Sequence, residues 1–501
     1  MPKHFTRKIG IIVAALFLVY LLLLIPGREP VAPTDDTTAQ PFAWNQDEYW
    51  SSLEARFNDA RRLGCDSLRI RIGLGLDSTG ILISSLSRDS LQPDDTLFHQ
   101  IETQLFGLSC LISACPDSLQ SMINLHISLR YRLMNQAQHW DMNSRAARDR
   151  VYRLIYGGRT ALEEVMLQAG PELSPELVPG IADTLPAGSF SFMGVTIQSG
   201  DIFISRGGAP TSALIARGND YPGNFSHAAL ACLDRQDSLI NGFPEPREIY
   251  LVESHIERGV VVSDIDDYLK DTKLRILILR FRSDHPALKS NDTLPVVAAK
   301  YAMANALAKH IPYDFAMDIS DPSKLFCSEV VSFAYKQAGI NLWASRSHIS
   351  SPGVRNWLAD FGVKNFTTQE PSDLEYDPQL QVVAEWRDFE TLYKDHLDNA
   401  VVDVMLEDAE RGMKLKYNIF MLPVARILKL YSSILNLFDK AGPIPEGMNS
   451  TAALKNEWFS GRHREIEERL EVLAHRFSDE NGYLPPYWEL VKLARRAKDS
   501  I

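Results

Sequence analysis

The stretch KLFCSEVVSFAYKQAG, residues 324–339, decides the fold of the central part of the chain. Its apolar residues, among them Val330, Val331 and Ala334, fall on one face of a helix that begins at or just after Cys327. A cysteine at a helix N-terminus faces the positive end of the helix dipole, which favours the thiolate. The pattern therefore indicates either a reactive nucleophile at Cys327 or a buried structural cysteine.

A candidate base lies upstream, in NFSHAALACLD at residues 224–234. Alternation along this predicted strand places His227 on one face with Ala229 and Ala231, and Cys232 on the other face. A histidine that opens a strand beside small residues can approach a cysteine and accept its proton. A purely structural histidine would show the same pattern. Cys232 is interpreted as a core residue.

An acidic residue, Glu253, ends the apolar strand predicted within IYLVESHIERGVV, residues 249–261. A carboxylate there is costly to bury without a partner. A histidine partner would relieve that cost, and the carboxylate would in turn orient the imidazole. His255, two residues further on, shares the face of Glu253 in an extended strand and is an alternative for either role.

A tyrosine completes the candidate set. Tyr313, in HIPYDFAMD, lies 14 residues before the cysteine. Its phenol could donate to a developing oxyanion beside the backbone amide of Cys327. A tyrosine packed in a turn is the alternative.

Together these stretches resemble the YiiX/YebB-like branch of the NlpC-type cysteine hydrolases. The resemblance covers residues 190–388 and is carried by GDIFISRG, FSHAAL, YLVES followed by RGVVV, IPYD, and FCSEVVSFAY. It implies a circularly permuted papain-like core, in which histidine precedes cysteine. Residue by residue, it makes Cys327 the nucleophile, His227 the base and Glu253 the acidic third residue. Tyr313 matches the tyrosine of the family's glycine-proline-tyrosine-like turn, although Ile311 stands where glycine or another small residue is common. Asp201 is interpreted as structural.

The activity implied by this resemblance is acyl transfer through a thioester, without a metal or cofactor. Phe326 and Glu329 stand where unpermuted members carry aspartate and glycine, which agrees with the permuted branch. The expected substrate is an amide bond in cell-wall peptide. A lipid amide or ester is the second expectation, because the permuted branch includes lipid-related acyl enzymes. The third is a catalytically inactive binding module in the cell envelope.

The whole chain is longer than the family resemblance. It has 501 residues, more than one core supports, so several domains are expected. The fold class predicted is α+β with helical flanks and an N-terminal transmembrane helix. The predicted segments are a membrane anchor or signal at 1–26, a linker at 27–40, a helical domain at 41–185, the hydrolase domain at 190–388 and a helical region at 389–501.

The first residues indicate the compartment. A basic start, Lys3 to Lys8, precedes the apolar run from Ile9 to Ile25, and acidic residues follow it. That run is at the border between a signal peptide and a membrane span. We favour an uncleaved anchor, with the bulk of the chain on the outer side of the membrane. A cleaved signal would give a secreted protein. The net charge of -12 argues against nucleic acid as a partner.

Two further features are open to two interpretations each. Among the five cysteines, Cys110 and Cys115 are the candidates for a disulfide, although the sequence does not favour that pair. The apolar stretch from Tyr417 to Phe438, with lysines and arginines around it, reads as a core helix kinked at Pro423. A helix on a membrane surface is the alternative.

Overall fold

The computed structural model describes residues 14–27, 48–87, 90–184, 188–233, 239–240, 243–244, 248–438 and 440–501. The basic start of the chain and almost all of the predicted linker at 27–40 lie outside these residues.

Helices dominate both ends of the chain. The first group is α1 (Ala14–Leu23), α2 (Glu48–Leu63), α3 (Cys65–Ser85), α4 (Thr96–Ala114), α5 (Leu119–Ala137) and α6 (Arg145–Ala169). The central group is α7 (Pro210–Arg217), α8 (Ile265–Lys270), α9 (Pro286–Ser290), α10 (Leu294–Ala308), α11 (Cys327–Gln337) and α12 (Pro352–Phe361). The last group is α13 (Phe389–Glu410), α14 (Leu422–Asn436), α15 (Ser450–Asn481) and α16 (Tyr487–Asp499).

The strands lie between these helical groups. They are β1 (Leu177–Pro179), β2 (Ser189–Phe192), β3 (Val195–Gln198), β4 (Ile202–Gly207), β5 (His227–Leu233), β6 (Leu239–Ile240), β7 (Phe243–Pro244), β8 (Ile249–His255), β9 (Gly259–Asp264), β10 (Lys273–Phe281), β11 (Ser347–His348), β12 (Thr367–Thr368) and β13 (Leu380–Trp386). Seven of them form one antiparallel sheet in the order β1-β13-β10-β4-β5-β8-β9.

This mixed α and β architecture agrees with the α+β part of the predicted fold class, and the predicted strands that carry His227 and Glu253 and the predicted helix at Cys327 are present. One element was not expected. Strand β1 lies in the segment predicted to be helical, and it pairs with β13 through Leu177↔Trp386. The stretch before residue 190 therefore contributes an edge strand to the central sheet.

Alternation along β5 explains how the sheet is packed. Ala228 and Leu230 point to one face, where they meet Val331 and Ala334 of α11. Ala229 points to the other face and packs with Tyr268. The small alanine side chains allow α11 to approach the strand closely, which brings the start of that helix to the start of β5.

The helical flanks join the sheet through buried ion pairs. Arg275 of β10 pairs with Glu163 of α6 and Asp395 of α13, and Arg159 of α6 pairs with Glu375 and Glu385. All of these side chains are almost fully buried. Charges without water must be paired, so the flanks and the sheet depend on one another.

Cys110 and Cys115, a pair that the sequence left open but did not favour, do not bond to each other. Cys115 bonds to Cys65, with Cα atoms 5.1 Å apart. Cys65 opens α3 and Cys115 follows α4, and these two helices pack against each other, which brings the two thiols together. Cys110 stays a buried thiol whose Sγ lies 3.4 Å from the carbonyl oxygen of Leu53.

The interpretation of residues 417–438 as a kinked core helix is also wrong. Pro423 lies in the first turn of α14, where its missing N–H costs nothing, so it starts the helix instead of bending it. Most of the apolar side chains of α14 are exposed. Within the described residues, Ile419–Asn436 is the one helical stretch that is long and apolar enough to cross a membrane by length and composition, and Ala14–Leu23 is shorter.

Candidate active site

The cysteine loop is held from three sides. Cys327 is the first residue of α11, and the backbone N–H of Phe326 donates to Glu329 Oε2 at 3.0 Å. The N–H of Leu325 donates to the carbonyl of Pro312 at 3.1 Å, and the hydroxyl of Ser254 donates to the carbonyl of Leu325 at 2.6 Å. The start of α11 is therefore tied to both the tyrosine turn and strand β8.

Cys327 lies against the residue that precedes the histidine. Its Sγ is 4.0 Å from the carbonyl oxygen of Ser226, and the backbone N–H of Ala228 faces it. The side chain is 5% exposed. Burial raises the pKa of the Cys327 thiol to about 11, although the Ala228 N–H and the Ser328 hydroxyl act in the opposite direction. The expected thiolate at the helix N-terminus is thus a thiol in this state, because desolvation outweighs the dipole.

His227 and Glu253 form a short hydrogen bond. His227 Nε2 lies 2.6 Å from Glu253 Oε2, and the hydroxyl of Ser263 donates to Oε1 of the same carboxylate at 2.6 Å. Glu253 is opposite Ala229 in the β5–β8 register, so it shares the face of His227. With Nε2 held by the carboxylate, Nδ1 is the ring nitrogen left to accept a proton.

His255 shares the carboxylate, as its position in the strand predicted. Its Nε2 lies 3.0 Å from Glu253 Oε1, off the line of a hydrogen bond of normal geometry. The rings of His227 and His255 are 5.8 Å apart between centroids. Both histidines line the same cleft, but His227 makes the aligned contact with Glu253.

Burial and charge set the protonation of this pair. Burial raises the pKa of Glu253, but the hydrogen bond from His227 and the close contact and charge of His255 outweigh it, and the pKa lies well below the ordinary value. Burial lowers the pKa of His227 below 6.5, against the raising effect of Glu253. At neutral pH the site therefore holds a carboxylate, a neutral imidazole and a thiol.

The tyrosine turn closes one side of the cleft. Tyr313 lines the cleft together with Cys327 and His227, and its ring packs on Phe315 at 5.0 Å between centroids. The turn is fixed by a hydrogen bond from the N–H of Val260 to the carbonyl of Ile311. Gly259 has φ +69, and a Cβ there would lie 2.1 Å from the Ile311 oxygen, so only glycine fits. Burial raises the pKa of Tyr313 well above its ordinary value, which keeps the phenol a donor.

Residues 196–384 match a family model described as "permuted papain-like amidase enzyme, YaeF/YiiX, C92 family". The central segment thus carries a permuted papain-like domain of this family. The family recognised from the sequence motifs is confirmed.

A crystal structure of the metalloprotein YiiX from Escherichia coli O157:H7 is 18% identical to this chain, with a TM-score of 0.28. The match covers 38% of this chain and 98% of that one. No curated protein matches this chain.

One cleft residue of the permuted papain-like domain, and the buried tyrosine beneath it, were missed in the sequence. Lys273 lines the cleft, and its Nζ lies 4.5 Å above the ring of Tyr268. Tyr268 in turn stacks on His227, at 6.5 Å between ring centroids and 30° between planes. Burial lowers the pKa of Lys273, while Glu253 and Asp271 act against this. A lysine that opens an apolar strand is common, so the sequence held no signal for this placement.

A second group of potential metal ligands lies away from this domain's cleft. Single ligand atoms of Asp398, His463 and Glu467 all lie within 4.8 Å of one another. Lys394 Nζ donates to Asp398 Oδ1 at 3.0 Å and also to Glu467. Since Lys394 pairs with both carboxylates and Arg206 lies 3.7 Å from Asp398 Oδ2, the cluster belongs to the buried ion network that joins α13 to α15.

Proposed function

We propose that the permuted papain-like domain is a cysteine amidase that uses Cys327, His227, Glu253 and Tyr313. The observation that carries the proposal is the 2.6 Å contact between His227 and Glu253, in a cleft that Cys327 also lines. A carboxylate that orients an imidazole beside a thiol is the arrangement that nucleophilic acyl transfer needs.

The reaction starts from the neutral pair. Nδ1 of His227 takes the proton of Cys327, and the thiolate attacks the amide carbonyl. The Tyr313 hydroxyl and the backbone N–H of Cys327 donate to the oxyanion. The imidazolium then gives its proton to the leaving amine, which leaves a thioester on Cys327. Water, deprotonated by His227, attacks this thioester and releases the acid and the free thiol.

The domain is proposed to work outside the cytoplasm. The apolar run at residues 9–25 supports a membrane anchor, and the Cys65–Cys115 disulfide fits an oxidising compartment. A cell-wall peptide amide is the first substrate class proposed. A lipid amide or ester is the second, and one observation favours it: the exposed apolar helix α14 leads into the loop whose Ala441 lines the cleft.

The test is hydrolysis of defined amides by the full chain. Purified muropeptides and long-chain N-acyl amides would be offered in parallel, and product amines quantified. Cys327→Ala should abolish turnover, whereas Cys232→Ala, a buried cysteine on the strand that carries His227, should retain it. Binding of envelope material without turnover of any amide would instead support an inactive binding module.

A further inference from the structure

Helix α14 presents an apolar stripe to the outside of the molecule. Four apolar residues of α14 and two that directly follow it lie on one helix face, at spacings of three or four residues, and are 48–80% exposed. They are Ile427, Leu430, Tyr431, Ile434, Leu437 and Phe438. The opposite side, with Leu422, Ala425 and Ser432, packs against the segment at 442–454. An exposed apolar face of this length is expensive in water unless something covers it.

The N-terminal helix lies beside this stripe. Arg426 donates to the carbonyls of Leu23 and Ile25 at 3.0 and 2.7 Å, which satisfies the free carbonyls at the end of α1. The hydroxyl of Tyr20 donates to the carbonyl of Phe420. The apolar side chains of α1 are exposed as well. The end of α1 and the face of α14 thus form one continuous apolar surface.

The basic residues in and around α14 favour an anionic surface as the partner that covers this apolar surface. Residues 414–438 contain four basic side chains and no acidic one, in a chain whose net charge is -12. A helix with an apolar face and basic residues beside it is suited to the interface of an anionic bilayer. Hydrogen bonds from Lys429 to the carbonyls of Pro445 and Glu446 hold one side of α14 against the folded domain, which suits a helix that lies along a membrane surface.

The surface leads directly into the catalytic cleft. Ala441 lines the cleft together with Cys327 and Tyr313, and it follows Phe438 by three residues. Three residues span at most about 11 Å. Gly447, in the same loop, packs on Phe315 and the backbone of Tyr313, and Glu446 pairs with His310 at 2.9 Å. The loop after α14 is therefore one wall of the site.

We propose that α14 docks on the lipid bilayer beside the end of α1, and that the cleft takes an acyl amide or ester from that bilayer. The substrate part of this inference rests on the proposed amidase activity with the second of its two substrate classes, whereas the docking part does not. It assigns a role to a helix outside the residues that match the family model.

Docking is tested with the full chain reconstituted in vesicles of phosphatidylethanolamine and phosphatidylglycerol. A Cys327→Ala form would carry one environment-sensitive fluorophore, at Phe438→Cys or at Val472→Cys. Val472 is an equally exposed apolar residue, 61% exposed, and lies roughly 33 Å along α15 from its start. Nitroxide-labelled acyl chains should quench the label at 438 and leave the label at 472 unquenched. Lack of quenching at 438 would overturn the proposal. This holds also if the label is shielded because a second copy of the chain covers α14.

Substrate delivery is tested with the Ile427→Asp, Leu430→Asp double variant, both positions being exposed and outside the cleft. Hydrolysis of a long-chain N-acyl anilide held in those vesicles should fall at least about tenfold, since two apolar contacts with the lipid are lost. Acylation by soluble p-nitrophenyl acetate should not change, and Val472→Asp should affect neither. Equal loss on both substrates would overturn delivery from the bilayer. Quenching at 438 with no turnover of any acyl donor would remove the proposed amidase and leave the docking surface intact.

Discussion

Glu253 Oε2 lies 2.6 Å from Nε2 of His227, across the neighbouring strands β5 and β8. The same carboxylate accepts a hydrogen bond from Ser263 through its other oxygen. Because both oxygens are fixed, the imidazole has one orientation and one tautomer, with Nδ1 free of its proton. This contact gives His227 the orientation that its proposed role as the base requires.

Replacing Glu253 by Gln should lower activity while keeping the shape of the side chain in the site. An amide of the same shape loses the charge that fixes the tautomer, and an equivalent change in a serine protease triad costs about 10⁴ in kcat. We expect kcat to fall by about 10²–10⁴ with little change in KM. Loss of the negative charge also lowers the pKa of His227 further, so the acid limb of kcat/KM should move to lower pH. A kcat within twofold of the unmodified enzyme would contradict the assigned role.

The two histidines that share Glu253 can be separated. His227→Gln should lower kcat/KM by more than about 10³, because the thiol loses its base. His255→Gln should lower it by less than about tenfold, because His255 lacks an aligned hydrogen bond to the carboxylate. Steady-state kinetics of both variants on one substrate, with their folded state checked by circular dichroism, measures this. A larger effect at His255 would exchange the two assignments.

The pH dependence of alkylation and of kcat/KM should show that Cys327 and His227 are both uncharged in the free enzyme at neutral pH. Burial disfavours the charged form of both groups, so the pKa of Cys327 is raised to about 11 and that of His227 lies below 6.5. In the free enzyme, alkylation of Cys327 by iodoacetamide should rise about tenfold per pH unit between about pH 7 and pH 10. The kcat/KM profile should fall only as pH drops below 6.5, where His227 takes a proton. A plateau of alkylation near pH 6 would instead show a preformed thiolate and imidazolium.

The Cys65–Cys115 bond should be a main source of stability in the N-terminal helices. It closes a loop of 50 residues, for which the chain-entropy relation gives about 4 kcal/mol. Urea unfolding of the unmodified protein should shift to lower urea in reductant, and Cys65→Ser should remove that sensitivity. Cys110→Ala keeps the disulfide and should stay sensitive to reductant. If reductant has no effect on the unmodified protein, the bond is absent or does not contribute.

Local patterns in the sequence were sufficient to predict those features of the site that depend on the periodicity of a strand or a helix. Alternation in β5 places His227 opposite the face of Leu230, and the acidic end of β8 places Glu253 beside it. The helix at Cys327 begins where its apolar face predicts. These features depend on which side chains share a face, and a period of two or of 3.6 encodes that directly.

Features set by tertiary packing were not predictable in the same way. The disulfide partner of Cys115 lies 50 residues away in the sequence, and the two cysteines meet only because α3 packs against α4. The position of Lys273 over Tyr268 depends on the β4–β10 register. Cys327 is a thiol because it is buried, and the apolar pattern of its helix does not reveal that burial. The side chains of α14 are exposed because its apolar face points away from the rest of the protein, and periodicity does not encode that direction.

The most direct test of the central claim is the reaction of the full chain with p-nitrophenyl acetate, followed by stopped-flow absorbance and peptide mass spectrometry. A burst of one nitrophenolate per chain, with the acetyl group on Cys327, is predicted. His227→Ala should abolish the burst, and Cys232→Ala should leave it intact. An acetyl group on any residue other than Cys327, or an undiminished burst in His227→Ala, would contradict the assignment of Cys327 and His227 as nucleophile and base.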